Sequence, residues 1–161
     1  VDETGAVVGA ASRSAMRAAN LAHLVVCVLL RDGAGRVYVH RRTDTKDVFP
    51  GAHDAFAAGC VLADEEPLQA AERELAEELG VTGVRLEPLF TQWYADEVMH
   101  HLCHVWTARY DGPVTHQPEE VAWGTWMTVA ELRAHLADPA WPFVPDGRAL
   151  VERLLDEGLL H

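Results

Sequence analysis

The sequence predicts an α/β fold, a sandwich built on a mixed β-sheet. Three observations carry that prediction. An apolar run at residues 24–30 is followed by turn residues and a second strand-like run, which together read as an opening hairpin. A strongly helical stretch at residues 67–79 then separates this hairpin from further strand-like segments. With 161 residues, 49% of them hydrophobic and 24% charged, the chain matches the average for one globular domain spanning residues 1–161.

The elements follow in order. A short strand is expected at Ala6 to Gly9 and a helix near Ser14 to Asn20. Leu24-Val-Val-Cys-Val-Leu-Leu30 is apolar at every position, as in a strand buried on both faces. Asp32-Gly-Ala-Gly35 supplies the turn, and Arg36 to Arg42 resumes as the second strand. Thr43 to Asp54 reads as a polar loop, and Ala55 to Leu62 as a short central strand. Pro67 suits the first turn of the long helix and Gly80 terminates it. Val84 to Tyr94 and His100 to Ala108 read as a strand pair, and Val121 to Met127 as one strand more. Thr128-Val-Ala-Glu131 is a capping box opening a helix to about Leu136, and a last helix runs from Asp146 to Leu155 with its stop at Gly158.

Charge narrows the partners. Lys and Arg total 13 against 25 Asp and Glu, a net charge of −12. Phosphate contacts need clustered cations, so duplex nucleic acid and anionic membrane are poor partners; divalent cations are not. Cys27, Cys60 and Cys103 are odd in number and widely spaced, which argues for a reducing, cytoplasmic setting. The longest apolar run, Leu21 to Leu30, is too short to span a bilayer, and no basic segment precedes it as in a signal peptide. The chain opens at Val1 rather than Met, as expected if a few leading residues are trimmed. If it self-associates, a homodimer is the expected form.

The informative stretch is the long helix. At roughly 100° per residue, Glu74, Glu77 and Glu78 fall on one face, while Leu68, Ala71, Leu75 and Leu79 collect on the neighbouring face expected to pack on the sheet. Acids at i, i+3 and i+4 repel by about 0.2–0.5 kcal/mol per pair. Glu77 and Glu78 also stand in the last turn, where the helix dipole favours cations. An acidic solvated face is the ordinary explanation of such a run. A hard divalent cation with oxygen ligands would relieve both penalties.

The full spacing favours the cation. Gly59, Glu65, Arg73, Glu74, Leu75, Glu77, Glu78, Gly80 and Val81 fill Gly-x5-Glu-x7-Arg-Glu-hydrophobic-x-Glu-Glu-x-Gly-hydrophobic. In this the chain resembles the Nudix hydrolase superfamily, the MutT-like enzymes, whose signature box would here run over residues 59–81. The resemblance implies a Nudix-type α/β/α sandwich with a mixed β-sheet. It also implies hydrolysis of a diphosphate bond in a nucleoside diphosphate linked to another moiety X. Mg2+ would be the cofactor, with Mn2+ as an alternative.

By the same resemblance Glu74, Glu77 and Glu78 would be metal ligands, one of them orienting or deprotonating water, and the backbone near Gly59 a further ligand. Arg73 would hold the glutamate cluster in place, and Glu65 would brace the loop. A later loop often adds another acid, for which Glu119 and Glu120 are the candidates, Glu120 favoured. Arg41, Arg42 and Lys46 would flank the cleft and contact substrate phosphates, or else serve as strand-end and loop charges.

Arg41 to Gly51, followed by Asp54 to Gly59, resembles the subgroup related to isopentenyl-diphosphate isomerase. That enzyme carries a cysteine just before the glycine that opens the box and a metal-binding histidine just after it. Here Ala58 and Cys60 stand at those positions. Alanine moves no proton, so hydrolysis is expected over isomerisation. Cys60 is expected to pack away from the site.

Met99-His100-His101-Leu-Cys103-His104 resembles a soft-metal cluster only in composition. On a strand His101 and Cys103 share one face and His100 and His104 the other, with no zinc-type spacing. Of the five tryptophans, Trp93, with Tyr94 beside it at a strand end, is the candidate for stacking a nucleobase.

Overall fold

The computed structural model describes all 161 residues. Helix α1 (Arg13–Ala18) precedes strands β1 (His23–Arg31), β2 (Val37–Arg42), β3 (His53–Asp54) and β4 (Phe56–Cys60). Helix α2 (Pro67–Leu79) leads to β5 (Leu86–Ala95), β6 (His100–Arg109) and β7 (Val121–Met127), and the chain closes with α3 (Val129–Leu136) and α4 (Pro145–Asp156).

The seven strands form one mixed sheet. Its centre is β1, parallel to β6 along its whole length from His23↔His101 to Arg31↔Arg109, and antiparallel to β4 from Val25↔Cys60 to Leu29↔Phe56. β5 extends the sheet beyond β6, while β2 pairs with β3 and β7. Successive side chains of β1 enter opposite cores, as its unbroken apolar run requires. Val25, Cys27 and Leu29 join the core on which α3 and α4 pack; Val26, Val28 and Leu30 join the core under α2. Helices on both faces make the α/β/α sandwich.

Three expectations need correction. Ala6 to Gly9 forms no strand; it runs as an exposed arm without a sheet partner. The hairpin of β1 and β2 pairs only at its turn, Arg31↔Val37. The strands then diverge, because β4 takes the flank of β1 and β7 that of β2, and those pairings bring together segments far apart in sequence. In α2, Leu68 is 43% exposed, and Ala70 and Ala71 pack on the sheet with Leu75 and Leu79. Two alanines let the helix come close to the strands. The same rotation carries Glu78 into the buried face.

The ends of α2 follow from its sequence. The Glu66 N–H donates to Gln69 Oε1 at 3.0 Å, Pro67 starts the helix, and Gly80 ends it at φ +66°. Burying Leu75 and Leu79, each 1% exposed, contributes about 1.5–3 kcal/mol per side chain and fixes the helix on the sheet.

Candidate active site

Gly59 marks the close approach of β4 to α2. A methyl group on its α-carbon would stand 2.0 Å from Glu74 Oε1, so only glycine leaves room for that carboxylate. One turn on, Glu78 is 5% exposed, and its Oε2 accepts the Ala58 N–H at 3.2 Å. Burial pushes Glu78 up to about 8, with Glu74 adding to the effect. Glu74 is raised as well, again by burial first. Folding alone disfavours a carboxyl group as buried as Glu78, with a single hydrogen bond and the half-buried Glu74 beside it.

Arg73 organises the loop that leads into α2. Its Nε and Nη2 donate to the two oxygens of Glu65 at 2.8 and 2.9 Å, Nη1 donates to Glu74 Oε1 at 2.5 Å, and Nη2 reaches the Cys60 carbonyl at 3.1 Å. Glu65 accepts the Leu62 N–H at 2.9 Å, and the Arg73 guanidinium holds its carboxyl below the usual range. Glu77 turns outward: its side chain is 51% exposed and lies 3.4 Å from Arg73 Nη1. The glutamate triplet is therefore split, with Glu74 and Glu78 inward and Glu77 at the rim. No three Asp, Glu, His or Cys side chains converge as a ready-made cage.

The donor chemistry nevertheless fits a hard divalent cation. Glu74 and Glu78 offer carboxyl oxygens, the hard donors such an ion takes once they are deprotonated. The nearest sulfur, Cys60, is pushed up by burial and so stays a thiol, a poor ligand. Cys60 does not pack away from the site as its strand alternation suggests; it is half-buried and lines the same cleft. Ala58 contributes only its backbone N–H, and its side chain can move no proton.

Two loops complete the rim. Thr115 N–H and Gln117 N–H donate to the carbonyls of Leu79 and Glu78 at 3.0 and 3.1 Å, tying the segment before β7 to the end of α2. The loop after β2 is bonded to that segment in turn: Thr43 N–H donates to the Glu120 carbonyl at 3.1 Å, and Thr43 Oγ1 to that of Glu119 at 3.0 Å. Their side chains meet in an ion pair between Lys46 and Glu120. Burial holds Lys46 below its ordinary pKa, with the Arg42 guanidinium adding to the effect. Glu120 lines the cleft and Glu119 does not.

Of the three cations proposed to meet phosphate, only Lys46 lines the cleft. Arg41 pairs with Asp44 at 2.5 Å, and Arg42 donates to the Val48 carbonyl at 3.1 Å. Both serve the loop that carries Lys46. Trp93 and Tyr94 lie outside the cleft, Trp93 tilted on His100 and Tyr94 stacked on His101. His101 and Cys103 are buried on one face of β6, as alternation predicts.

Sequence reasoning missed the other wall. The cleft, about 1020 Å3, runs from Glu74, Glu77, Glu78, Lys46 and Glu120 to the amino-terminal arm, which contributes Val7, Val8 and Arg13. No local signal marks these residues. They reach the site because the Val1 ammonium donates to the Ala22 carbonyl at 2.8 Å and Arg17 pairs with Asp47.

Comparison with known proteins gives a consistent result. The model of the NUDIX domain matches residues 21–147. An uncharacterized Nudix hydrolase of Rhodococcus erythropolis, orf19, is 47% identical over 161 aligned residues, covering 93% of this chain and 86% of that protein. The crystal structure of DR0079 from Deinococcus radiodurans superposes with a TM-score of 0.72 at 28% identity, over 81% of this chain and 82% of that one. The NUDIX domain of Shewanella oneidensis NrtR, complexed with ADP ribose, shares the fold at a TM-score of 0.69 and 20% identity, over 91% of this chain and 99% of that one.

Proposed function

The chain belongs to the Nudix hydrolase family and hydrolyses pyrophosphate bonds; on that premise, we propose that it cleaves nucleoside diphosphates linked to a further moiety X, with Mg2+ as cofactor and Mn2+ as the alternative. The observation that carries the reading is the pair of carboxyl groups, Glu74 against Gly59 and Glu78 on the Ala58 N–H, both lining one large cleft with their affinity for protons raised.

In this reading Glu74, Glu78 and the Gly59 backbone hold the cation from inside, and Glu77 and Glu120 reach it from the rim. When bound, a divalent ion supplies charge neutralisation for phosphoryl oxygens and makes water a better nucleophile. Arg73 keeps Glu74 in place and braces the loop through Glu65. Lys46 meets a phosphate of the substrate once that phosphate competes for it with Glu120. One of the three glutamates orients the attacking water or takes its proton. The ADP ribose complex of the Shewanella oneidensis domain makes a nucleoside diphosphate ester the natural first probe.

The test is the release of nucleoside monophosphate from such esters with Mg2+, Mn2+ or EDTA. Wild-type protein is expected to require the metal. Glu78→Gln should lose roughly 100-fold or more in kcat/KM while remaining folded. Equal turnover by wild type and Glu78→Gln on every active ester would remove the site from the reaction.

A further inference from the structure

We propose that X is an aliphatic chain, held along the apolar side chains that the amino-terminal arm and the start of the loop after β4 contribute to the cleft. The proposal rests on the diphosphate hydrolase reading above and specifies what that cleft selects.

Half of the residues that line the cleft are hydrophobic. The glutamates and Lys46 share its lining with Val7, Val8, Met16, Leu21, Val61 and Leu62, while Arg13 borders the arm and Asp64, Glu65 and Glu66 follow Leu62 in the loop after β4. None of the five Trp, four Phe and three Tyr residues of the chain lines it. A nucleobase held by stacking draws roughly 1–3 kcal/mol from an aromatic face. The single ring available is the His23 imidazole, whose Nδ1 is bonded to the Leu21 carbonyl at 2.9 Å and which lies edge-to-face with His101. A sugar needs several converging hydrogen-bond partners, and methyl groups offer none. The apolar side chains are suited to hydrocarbon.

Its apolar surface is also kept open to solvent. Val7, Val8 and Leu62 are 71%, 70% and 57% exposed, although they border a concave site rather than lying scattered over the surface. Covering such side chains yields favourable free energy that an alkyl chain can draw on. The arm is anchored on both sides of this stretch, by the Val1 ammonium on the Ala22 carbonyl and by Arg17 on Asp47. Asn20 Nδ2 adds a bond to the Asp96 carbonyl at 2.9 Å. Residues 7–11 themselves make no backbone hydrogen bond. The wall is thus fixed in place by its ends while its middle is free to settle on a ligand.

The reaction balances as simple hydrolysis. The oxygen of water bonds to one phosphorus, the P–O–P bridge breaks, and the bridging oxygen leaves on the other phosphate. A nucleoside monophosphate and an alkyl phosphate result, and the two protons of water pass to solvent above the second phosphate pKa of about 6. The nucleoside, with no stacking ring in the cleft, stays on the solvent side.

The test compares ADP esterified with butyl, hexyl or decyl alcohol against ADP ribose, following AMP release with Mg2+. Calorimetric titration of decyl phosphate in EDTA measures the wall without turnover. The alkyl series should climb about threefold to fourfold in kcat/KM per methylene until the cleft is filled. Val8→Ser and Leu62→Ser, at exposed positions, should raise KM for the decyl ester about 10-fold, leave ADP ribose unchanged and weaken decyl phosphate binding. A flat alkyl series with ADP ribose preferred, insensitive to both substitutions, overturns the proposal and leaves the hydrolase reading standing. Binding of decyl phosphate lost in Val8→Ser, without AMP from any ester, would instead overturn the hydrolase reading and keep the wall.

Discussion

Glu74 Oε1 lies so close to the α-carbon of Gly59 that a methyl group there would come within 2.0 Å of it. One helix residue and one strand residue, 15 positions apart in the chain, thereby set how near α2 can stand to the sheet and where its first inward carboxylate points.

Gly59→Ala should separate function from stability. The clash falls on the far end of a side chain that can swing away, so the fold should lose no more than about 1 kcal/mol. Glu74 would leave its place between the β4 backbone and Arg73, and metal-dependent hydrolysis should fall roughly 100-fold. Urea denaturation and Mg2+ titration of activity together check this; a large stability loss with activity retained would contradict it.

The metal-free protein should become less stable as pH rises through 8. Glu78 ordinarily titrates near 4.5 and is pushed up to about 8 in the fold. Between those values the folded state holds a proton that the unfolded state has lost. The stability linked to this proton is full below pH 4.5 and gone above about 8. The whole effect is at most about 5 kcal/mol. In EDTA, Glu78→Gln should therefore match wild type at pH 4.5 and exceed it at pH 9. Saturating Mg2+ should close the gap by stabilising wild type alone, as read by Tm across the pH series.

Arg73→Lys should cost about 1–3 kcal/mol and lower the affinity for Mg2+. Lysine cannot reproduce a fork that grips both oxygens of Glu65 while reaching Glu74 and the Cys60 carbonyl. Chemical denaturation gives the first number, and the Mg2+ dependence of activity the second. Unchanged values in both would show that the guanidinium geometry is dispensable.

Lys46→Ala should raise KM for diphosphate esters about 10-fold and leave kcat within a factor of three. In the proposed reading it contacts a phosphate of the bound ester, which affects binding more than the chemical step. The effect should shrink with added salt, because the group is partly solvated. A fall in kcat at constant KM would place Lys46 in the transition state instead.

Much of the fold was legible because its signals are local. Alternation and apolar runs placed all the longer strands within two or three residues, and Pro67 with Gly80 fixed α2 at both ends. What failed depended on pairing choices made elsewhere in the chain. The opening hairpin separates because β4 and β7 claim its strands, and Ala6 to Gly9 has no strand to meet. Helical periodicity set Leu68 on the packed face, but Ala70 packs inward with Ala71 and Leu68 is left 43% exposed.

By itself the sequence determined the family and the order of the acids in the box, since the box is contiguous and its acids are misplaced for helix stability. Tertiary structure decided which of them are inward and what faces them. Glu78 is buried and Glu74 largely so, Glu77 is at the rim, Lys46 is held by Glu120, and Val7 and Val8 line the same cleft as the box. Desolvation and long-range packing have no local signature: they arise only when segments as distant as the amino-terminal arm and residue 120 are brought against one helix.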